Sequence, residues 1–526
     1  MPTVFISDSR GPCTQAIASH LADCGYSVVV NGETCPRNVR RSAIALDDSA
    51  AINAFFDQFD NNPDNTLAGV IIVPPPPSCA SIATTSEERW QQSFTGCVLP
   101  AFLLTQRAGK TLTRQGHGAV IFLGSIHAEK PTGFDHLYAE NAAACQMLCR
   151  EAALDFGTRG VGCYYVQRGV FPADLPDCNP LTNLYNAPEL LYPARSYPSE
   201  GSLNGFIEFL LSPAATPLSG GDLRADFGMT MFYGWQVPET KAPPSPDALR
   251  QQFRRHHPVP PTVVPAPAPT PVTPSSRPPV ALITGGGKGV GAGIAKVFAQ
   301  AGYRVCIGFN TNRELAEKTL ADISDAGGDA FIFQADIARR DAVQAMVAEC
   351  VRRYAGIDVL VNNAALQPNL YIREYDAKTL HALWDINLGG YLRCTQECLP
   401  CLAQSPCPRI INISSIHGKR PSVFDVGYAM TKAAIRMFTR EAALEFKDRA
   451  ITVNAVDLGA CKIEFKTGNY PFRLMVPPGI MRPSRRSDRP MTSPEDVGRL
   501  VLFLASAHAA QINGAGIRID GGAVLV

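Results

Sequence analysis

A chain of 526 residues exceeds one ordinary core; at roughly 100 to 250 residues per domain it predicts two or more. A hydrophobic fraction of 46%, 18% charged residues and a net charge of +1 give no reason to expect nucleic acid or a membrane surface as a partner. No apolar run approaches the ~20 residues that span a bilayer, and MPTVFISDSRGP at the start carries no basic or apolar leader, so a cytoplasmic location is expected. The 16 cysteines are scattered, several of them inside predicted helices (Cys145, Cys149, Cys350), which suits a reducing compartment better than a disulfide framework. Neither Cys nor His is read at ligand spacing, so no metal is expected.

In chain order, TVFIS predicts a strand, a helical pattern runs to Cys24, and YSVVV, LAGVIIV and AVIFLGS predict further strands. Strands that alternate with amphipathic helices imply βαβ units and a parallel sheet. Between Pro238 and Pro279 the composition changes abruptly, with 14 prolines in 42 residues. Such a stretch predicts an extended, polyproline-type linker. After it the order repeats: VALIT from Val280 is a strand, a glycine-rich turn and a helical pattern follow, and YRVCIGF, AFIFQAD and DVLVNNA are strands. LSGGDLRADFG (Leu218 to Gly228) parallels INGAGIRIDGG (Ile512 to Gly522), so the repeat covers whole domains. The expected architecture is α/β, with two doubly wound parallel-sheet domains at residues 1–237 and 280–526 and a linker over 238–279.

The repeat is sharpest from Ser125 to Phe156 and from Ser415 to Phe446, where 17 of 32 residues are identical at a constant offset of 290. In the second copy Tyr428 and Lys432 are four apart and share one helix face. A lysine ammonium beside a phenol favours the phenolate and lowers its pKa from about 10. In the first copy Tyr138 is followed at that spacing by Ala142.

Ahead of this pair, Thr284-Gly285-Gly286-Gly287-Lys288-Gly289-Val290-Gly291 follows a predicted strand and opens a predicted helix. Glycines there permit a tight turn and close backbone approach to a pyrophosphate, which the helix N-terminus stabilises. Asp336 ends a strand where an adenine amino group could be held, with Ile337 next to it. Asn362, Asn363, Ala364 and Ala365 end the following strand, Asn387 lies in a helix, and Ser415 precedes Tyr428 by 13 residues.

With these motifs in order, the second half resembles the short-chain dehydrogenase/reductase family, whose domains are Rossmann-like. The resemblance implies Tyr428 as general acid/base and Lys432 as the residue that lowers its pKa and holds the nicotinamide ribose. It implies Ser415 as the group that orients the substrate carbonyl, and Asn387 as the holder of a relay water. Thr284, Gly285, Gly287, Lys288, Gly289, Val290, Gly291, Asp336, Ile337, Asn363, Ala364 and Gly459 would line the cofactor site with Tyr428 and Lys432. Two features depart from the family: Leu458-Gly459 replaces its usual Pro-Gly, and the threonine that commonly follows is not evident near Ile463. Lys288 can pair with a 2′-phosphate, and Phe309-Asn310 stand where an NAD enzyme usually carries an acid, so NADP(H) is favoured over NAD(H). SSIHGKRP is similar to a stretch of glucose dehydrogenases, which makes His417 a substrate-site candidate; a histidine that packs beside the site reads equally well.

In the first half, at a local offset of 277, Asp8, Pro12 and Thr14 replace the motif glycines. Pro74 to Pro77 align with the Asn-Asn-Ala-Ala segment, and Cys97 stands at the Asn387 position. Ser125 and Tyr138 survive without the lysine, as relics or as part of a pocket for a different ligand, such as a regulator. The family's usual pairing helices imply that this copy replaces a second subunit, giving a pseudo-dimer in one chain and, from two chains, a homodimer imitating a tetramer. The leading function is an NAD(P)-dependent interconversion of a carbonyl and a secondary alcohol by the second domain. The rival is a non-catalytic NADP-binding redox sensor or scaffold. From Ala460 to Met491, seven Lys and Arg face two acids, a local balance of 7 − 2 = +5, which reads either as attraction for an anionic small-molecule substrate or as a solvated loop whose arginines meet water or the other domain's acids.

Overall fold

A computed structural model describes residues 1–62, 64–169, 198–226, 277–422, 425–462 and 492–520. Nearly all of the proline-rich linker, the basic segment over 463–491 and the last two motif glycines, Gly521 and Gly522, therefore lie outside the described residues.

The first sheet holds β1 (Thr3–Ile6), β2 (Ser27–Asn31), β3 (Arg40–Ser42), β4 (Leu67–Ile72), β5 (Gly118–Phe122), β6 (Val161–Arg168) and β7 (Asp222–Ala225). The second holds β8 (Val280–Ile283), β9 (Arg304–Phe309), β10 (Ala330–Gln334), β11 (Val359–Asn362), β12 (Arg409–Ser415), β13 (Thr452–Leu458) and β14 (Gly516–Ile519). Both run in the same order, β3-β2-β1-β4-β5-β6-β7 and β10-β9-β8-β11-β12-β13-β14, with every pair parallel. The strands are short apolar runs because helices cover both faces; β1, β8 and β12 are buried at every position. In each sheet the order reverses between the first and fourth strands, which opens the crevice where an α/β fold binds its ligand.

Two helices join the halves: His136–Phe156 and Val426–Glu445 pack directly on each other. Both are buried on nearly all faces, as expected of helices lying between two cores rather than on a surface. Their ends are set alike, with Asp135 accepting from the Tyr138 N–H at 3.1 Å and Asp425 from the Tyr428 N–H at 3.3 Å.

The polar contacts across this seam come in pairs related by the offset of 290. Glu441 accepts from the backbone N–H groups of Thr132 and Gly133, and Glu151 accepts from the N–H of Ser422 at 2.5 Å. Arg440 donates to the Glu129 carbonyl at 2.5 Å, and Arg150 to the Lys419 carbonyl at 3.1 Å. One surface patch thus meets its own copy, the geometry of an isologous two-fold interface formed within a single chain. Away from the axis, Trp90 stacks on Trp384 at 6.2 Å between ring centroids. The Glu87 carboxylate takes both Arg393 at 2.7 Å and Arg340 at 3.0 Å. One apolar cluster runs through the seam, from Phe94 and Phe102 to Leu383 and Phe438.

Among the described residues no helix is long and apolar enough to cross a membrane. The reading that no Cys or His falls at ligand spacing needs correction. His20 and Cys24 are one helical turn apart, and with Glu208 their donor atoms lie within 4.8 Å of one another; His20 Nε2 meets Glu208 at 2.8 Å.

Candidate functional site

The crevice of the second domain is built first by the turn after β8. Gly285 and Gly289 have φ of +62° and +54°, the left-handed region that favours glycine. A Cβ on Gly291 would come 2.2 Å from the Gly285 carbonyl oxygen and 2.6 Å from Asn363 Nδ2, so the helix Gly289–Gln300 can start hard against the turn only without one. The Thr284 hydroxyl accepts from the N–H groups of Asn363 at 2.9 Å and Ala364 at 3.1 Å. Asn363 Nδ2 in turn donates to the carbonyls of Thr284 at 2.9 Å and Gly285 at 3.1 Å. The ends of β8 and β11 are thereby locked together, and the N-terminus of a 12-residue helix opens into the crevice.

Around this cradle, Lys288 is exposed at the start of the helix. Asp336 Oδ1 accepts from the Ala338 N–H at 3.0 Å, which fixes the turn that carries Ile337. Gly459 closes on the far side, where a Cβ would come 2.5 Å from that of Asp520. A residue that the sequence reading passed over, Arg313, lies with its guanidinium 5.5 Å from the Phe309 ring centroid, beside the end of β9. Its place four residues after Phe309 was the available signal.

Deeper in, the helix that carries Asn387 opens into a five-residue π-turn, Asp385–Gly389, a feature that often marks functional positions. Asn387 is fully buried; its Oδ1 accepts from the Leu366 N–H at 2.7 Å, and its Nδ2 donates to the Leu366 carbonyl at 2.9 Å and to Thr431 Oγ1 at 3.0 Å. Ser415 ends β12, with its Oγ accepting from the His417 N–H at 3.2 Å and donating to the Leu458 carbonyl at 3.4 Å. Tyr428 stands half-buried on the first turn of its helix.

Lys432 is 1% exposed, and its Nζ donates to the Ile413 carbonyl at 2.8 Å. That nitrogen is 5.4 Å from the Tyr428 ring centroid and 5.7 Å from that of Tyr391. Burial pushes the ammonium down to about 7, because a charge removed from water is disfavoured. Tyr391 also donates to the Ile413 carbonyl, at 3.1 Å, and so shares the lysine's acceptor. Sequence reasoning missed Tyr391 and Thr431, although the first lies four residues beyond Asn387 and the second next to Lys432.

His417 behaves differently from the others. Its Nδ1 faces the Arg420 carbonyl at 3.4 Å, and in the first copy His127 Nδ1 faces Lys130 at 3.0 Å. The same turn-closing contact in both copies, with Lys432 in one and Ala142 in the other, is what a structural histidine would show.

The first domain keeps the frame of this site and changes its chemistry. Val73 N–H donates to Ser7 Oγ at 2.9 Å, as Asn363 N–H does to Thr284. That equivalence fixes Ile72-Val73-Pro74-Pro75 opposite Asn362-Asn363-Ala364-Ala365, two residues earlier than the sequence alignment to Pro74–Pro77. The π-turn recurs at Phe94–Val98 with Cys97 in the asparagine's place. Asp8, in the phosphate-loop position, is clamped by Arg10 at 2.6 Å, so the loop holds an anion of its own.

Comparison with known proteins agrees with this geometry. A family profile described as "short chain dehydrogenase" matches residues 279–471, and one described as "Enoyl-(Acyl carrier protein) reductase" matches residues 14–230. The chain is 35% identical over 246 residues to a 2,5-dichloro-2,5-cyclohexadiene-1,4-diol dehydrogenase of Sphingobium indicum, covering 46% of this chain and 95% of that protein. It is 33% identical over 242 residues to a 3-oxoacyl-(acyl-carrier-protein) reductase of Staphylococcus aureus, covering 46% and 96%. A solved short-chain dehydrogenase/reductase from Serratia marcescens is 27% identical, with 46% of this chain and 97% of that one covered and a TM-score of 0.40. The chain belongs to the short-chain dehydrogenase/reductase family and carries two copies of its fold. It is an oxidoreductase acting on a CH–OH/C=O group.

Proposed function

We propose that the second domain alone performs this chemistry, as an NAD(P)-dependent interconversion of a carbonyl and a secondary alcohol, with NADP(H) preferred. The observation that carries the reading is the Lys432–Tyr428 pair on one buried helix face, which the first domain lacks. A dinucleotide fits the residues present: the turn is so tight that a Cβ on Gly285, Gly287 or Gly291 would meet protein atoms at 2.9 Å or less, and the helix N-terminus opens into the crevice beside it. Thr284, Gly285, Gly287, Gly289, Val290, Gly291, Asn363, Ala364 and Gly459 would hold it, with Asp336 and Ile337 at the adenine. Lys288, joined by Arg313, would favour a 2′-phosphate.

The bound cofactor supplies or accepts hydride at the carbonyl carbon. The protein's task is the proton. In the reducing direction the Tyr428 hydroxyl donates a proton to the substrate oxygen, which would otherwise carry alkoxide charge. Lys432 lowers the cost of the resulting phenolate, since an ammonium near a phenol stabilises its anion. Ser415 orients the carbonyl by hydrogen bonding its oxygen. Asn387, held rigid by Leu366 and Thr431, would anchor a water that returns the proton from solvent. The first domain serves as a built-in second subunit, presenting to the Tyr428 helix the surface that another copy would present. Two chains would then form a pseudo-tetramer.

The test is NADPH oxidation, followed by absorbance, against diketones, acetoacetyl thioesters, keto sugars and quinones. Turnover with one class, lost in Tyr428→Phe while NADPH still binds, supports catalysis. Tight NADPH binding without turnover on any carbonyl would favour the non-catalytic sensor. The pairing role is checked by sedimentation of the isolated second domain, which should self-associate once its seam is exposed; a well-behaved active monomer would refute it.

A further inference from the structure

The first domain contains a cavity of about 640 Å³ on the ground where its twin would hold the dinucleotide, within the range of small-molecule sites. It is lined from Ser7 to Arg10 at the loop after β1, by Pro74 and Pro75 after β4, and by Ala101, Ala142 and Tyr165 at its base. Over the inner part of this wall, polar side chains of the second domain give way to apolar or weakly polar ones, while Asp8, Ser9 and Arg10 stand where its loop has glycines. At an offset of 290, Ala142 replaces Lys432, Ala101 replaces Tyr391, Cys97 replaces Asn387, Val73 replaces Asn363 and Ile72 replaces Asn362. The loss of the lysine and tyrosine leaves only small side chains at these two positions, and the loss of the asparagines removes the amides that brace the second domain's site.

Asn31, Tyr165 and Thr95, polar side chains on the wall, are directed into the protein. Asn31 Oδ1 accepts from Ser42 Oγ at 3.0 Å and Ile44 N–H at 2.7 Å, and its Nδ2 donates to the Ile44 carbonyl at 3.2 Å. The Tyr165 hydroxyl donates to the Ala142 carbonyl and accepts from the Ser125 N–H, each at 3.2 Å. Thr95 Oγ1 donates to the Gln91 carbonyl at 3.0 Å. The charged residues on the wall are Asp8, Glu33 and Asp47 against Arg10, and Arg10 is already held by Asp8. A phosphate would meet net negative charge here and a proline, Pro12, at the first position of the helix that should receive it.

We propose that the first domain binds an uncharged, predominantly apolar small molecule in this cavity and excludes nucleotides from it. Recognition comes from burial of the ligand's apolar surface against Ala101, Ala142, Cys97 and Ile72, since the polar groups around them are spoken for. Anions are kept out by the acidic rim. The inference rests on the first domain's own residues and is independent of turnover in the second.

The test uses the full chain and Nile red, an uncharged dye that brightens in apolar surroundings, titrated in millimolar NADPH so that the second domain's site is filled. Saturable 1:1 binding is expected, and Ala142→Lys with Ala101→Tyr, which restores the residues of the second copy, should weaken it about tenfold or more. An anionic dye, anilinonaphthalene sulfonate, should bind about tenfold more weakly than Nile red. Absence of saturable binding, an affinity unmoved by refilling the cavity, or equal affinity for the anionic dye would overturn the proposal. Should the double variant fail to melt cooperatively, Ala142→Leu is read by the same criterion. NADPH oxidation by the refilled variant should stay within about twofold of wild type. Dye binding lost with turnover intact sinks this inference alone, and turnover absent with dye binding intact sinks the proposed function alone.

Discussion

The two halves agree where they touch and differ where they would react. Arg150 and Glu151 in the first copy, and Arg440 and Glu441 in the second, make the same pairs of contacts across the seam. Ser7 and Thr284 lock the same two strands, and the π-turn, the Asp helix caps and the histidine turn occur twice. Yet Lys432, Asn387 and the motif glycines have no counterpart in the first copy. Docking needs both faces of a two-fold interface, so a change in either copy is felt by both. Chemistry needs only one complete site. Arg150, Glu151 and Asp135, retained in the first copy, are residues that touch the second copy or set the helix it docks on.

The largest effect expected from this contrast is at the tyrosines. Tyr428→Phe should lower kcat by about a thousandfold or more, because the proton donor is removed from a step that leaves charge on oxygen. Tyr138→Phe should leave the rate within about twofold, or ~0.4 kcal/mol in the barrier. Steady-state rates of the two variants decide the matter; a large loss from Tyr138→Phe would mean that the first half takes part in the reaction. Next in size is Lys432→Ala, which writes the first copy's residue into the second. A drop of about a hundredfold in kcat is expected at neutral pH; in the alcohol-oxidising direction, where Tyr428 takes up the proton, it should be partly relieved at high pH, where the phenol ionises unaided. A pH–rate profile unchanged in shape would remove Lys432 from the role assigned to it.

Much of this contrast was legible in the sequence, for a physical reason. Alternating apolar runs and a glycine turn specify a parallel sheet and its crevice, and the offset of 290 revealed the missing lysine directly. The alignment of Pro74–Pro77 failed because a proline run has no periodicity to fix its register, whereas the Val73–Ser7 hydrogen bond does. Tyr391 and Thr431 were invisible because their roles depend on the Ile413 carbonyl and on Asn387, groups brought beside them only by folding. Of the cavity in the first domain the sequence showed only the single replacements, at Asp8, Cys97 and Ala142; the space itself arises from their convergence with Ala101 and Ile72, which folding brings together.

A smaller effect tests the seam itself. Glu441→Ala removes the acceptor for Thr132 N–H, Thr132 Oγ1 and Gly133 N–H. Leaving buried donors unpaired costs about 1–3 kcal/mol each at most, and partial relaxation makes a net loss of about 3 kcal/mol reasonable. Chemical denaturation followed by tryptophan fluorescence reads this directly, since Trp90 and Trp384 stack across the seam. A change below about 0.5 kcal/mol would mean that the paired contacts contribute nothing to docking.

The smallest expected effect is the pH dependence of that seam. Burial raises the Glu441 carboxyl from its ordinary 4.5 to about 7, although the Thr132 and Gly133 donors pull the other way. His136, which also faces it, is raised as well despite its burial, because Glu140 lies beside it at 2.7 Å. For both groups the folded protein holds a proton more tightly than the unfolded chain. Their contribution is therefore complete below the unfolded pKa and is lost as pH rises through the folded one. For Glu441 that window runs from about 4.5 to about 7, so the unfolding free energy should fall from pH 5 to pH 8 by about 2 kcal/mol. Glu441→Gln cannot ionise and should flatten the slope, leaving a remainder from His136, Glu140 and Asp425, whose carboxyl burial raises to about 6. Tm measured across that range for both proteins separates the cases. Parallel curves would show that Glu441 keeps one protonation state throughout, and the two copies would then be joined by a seam insensitive to pH.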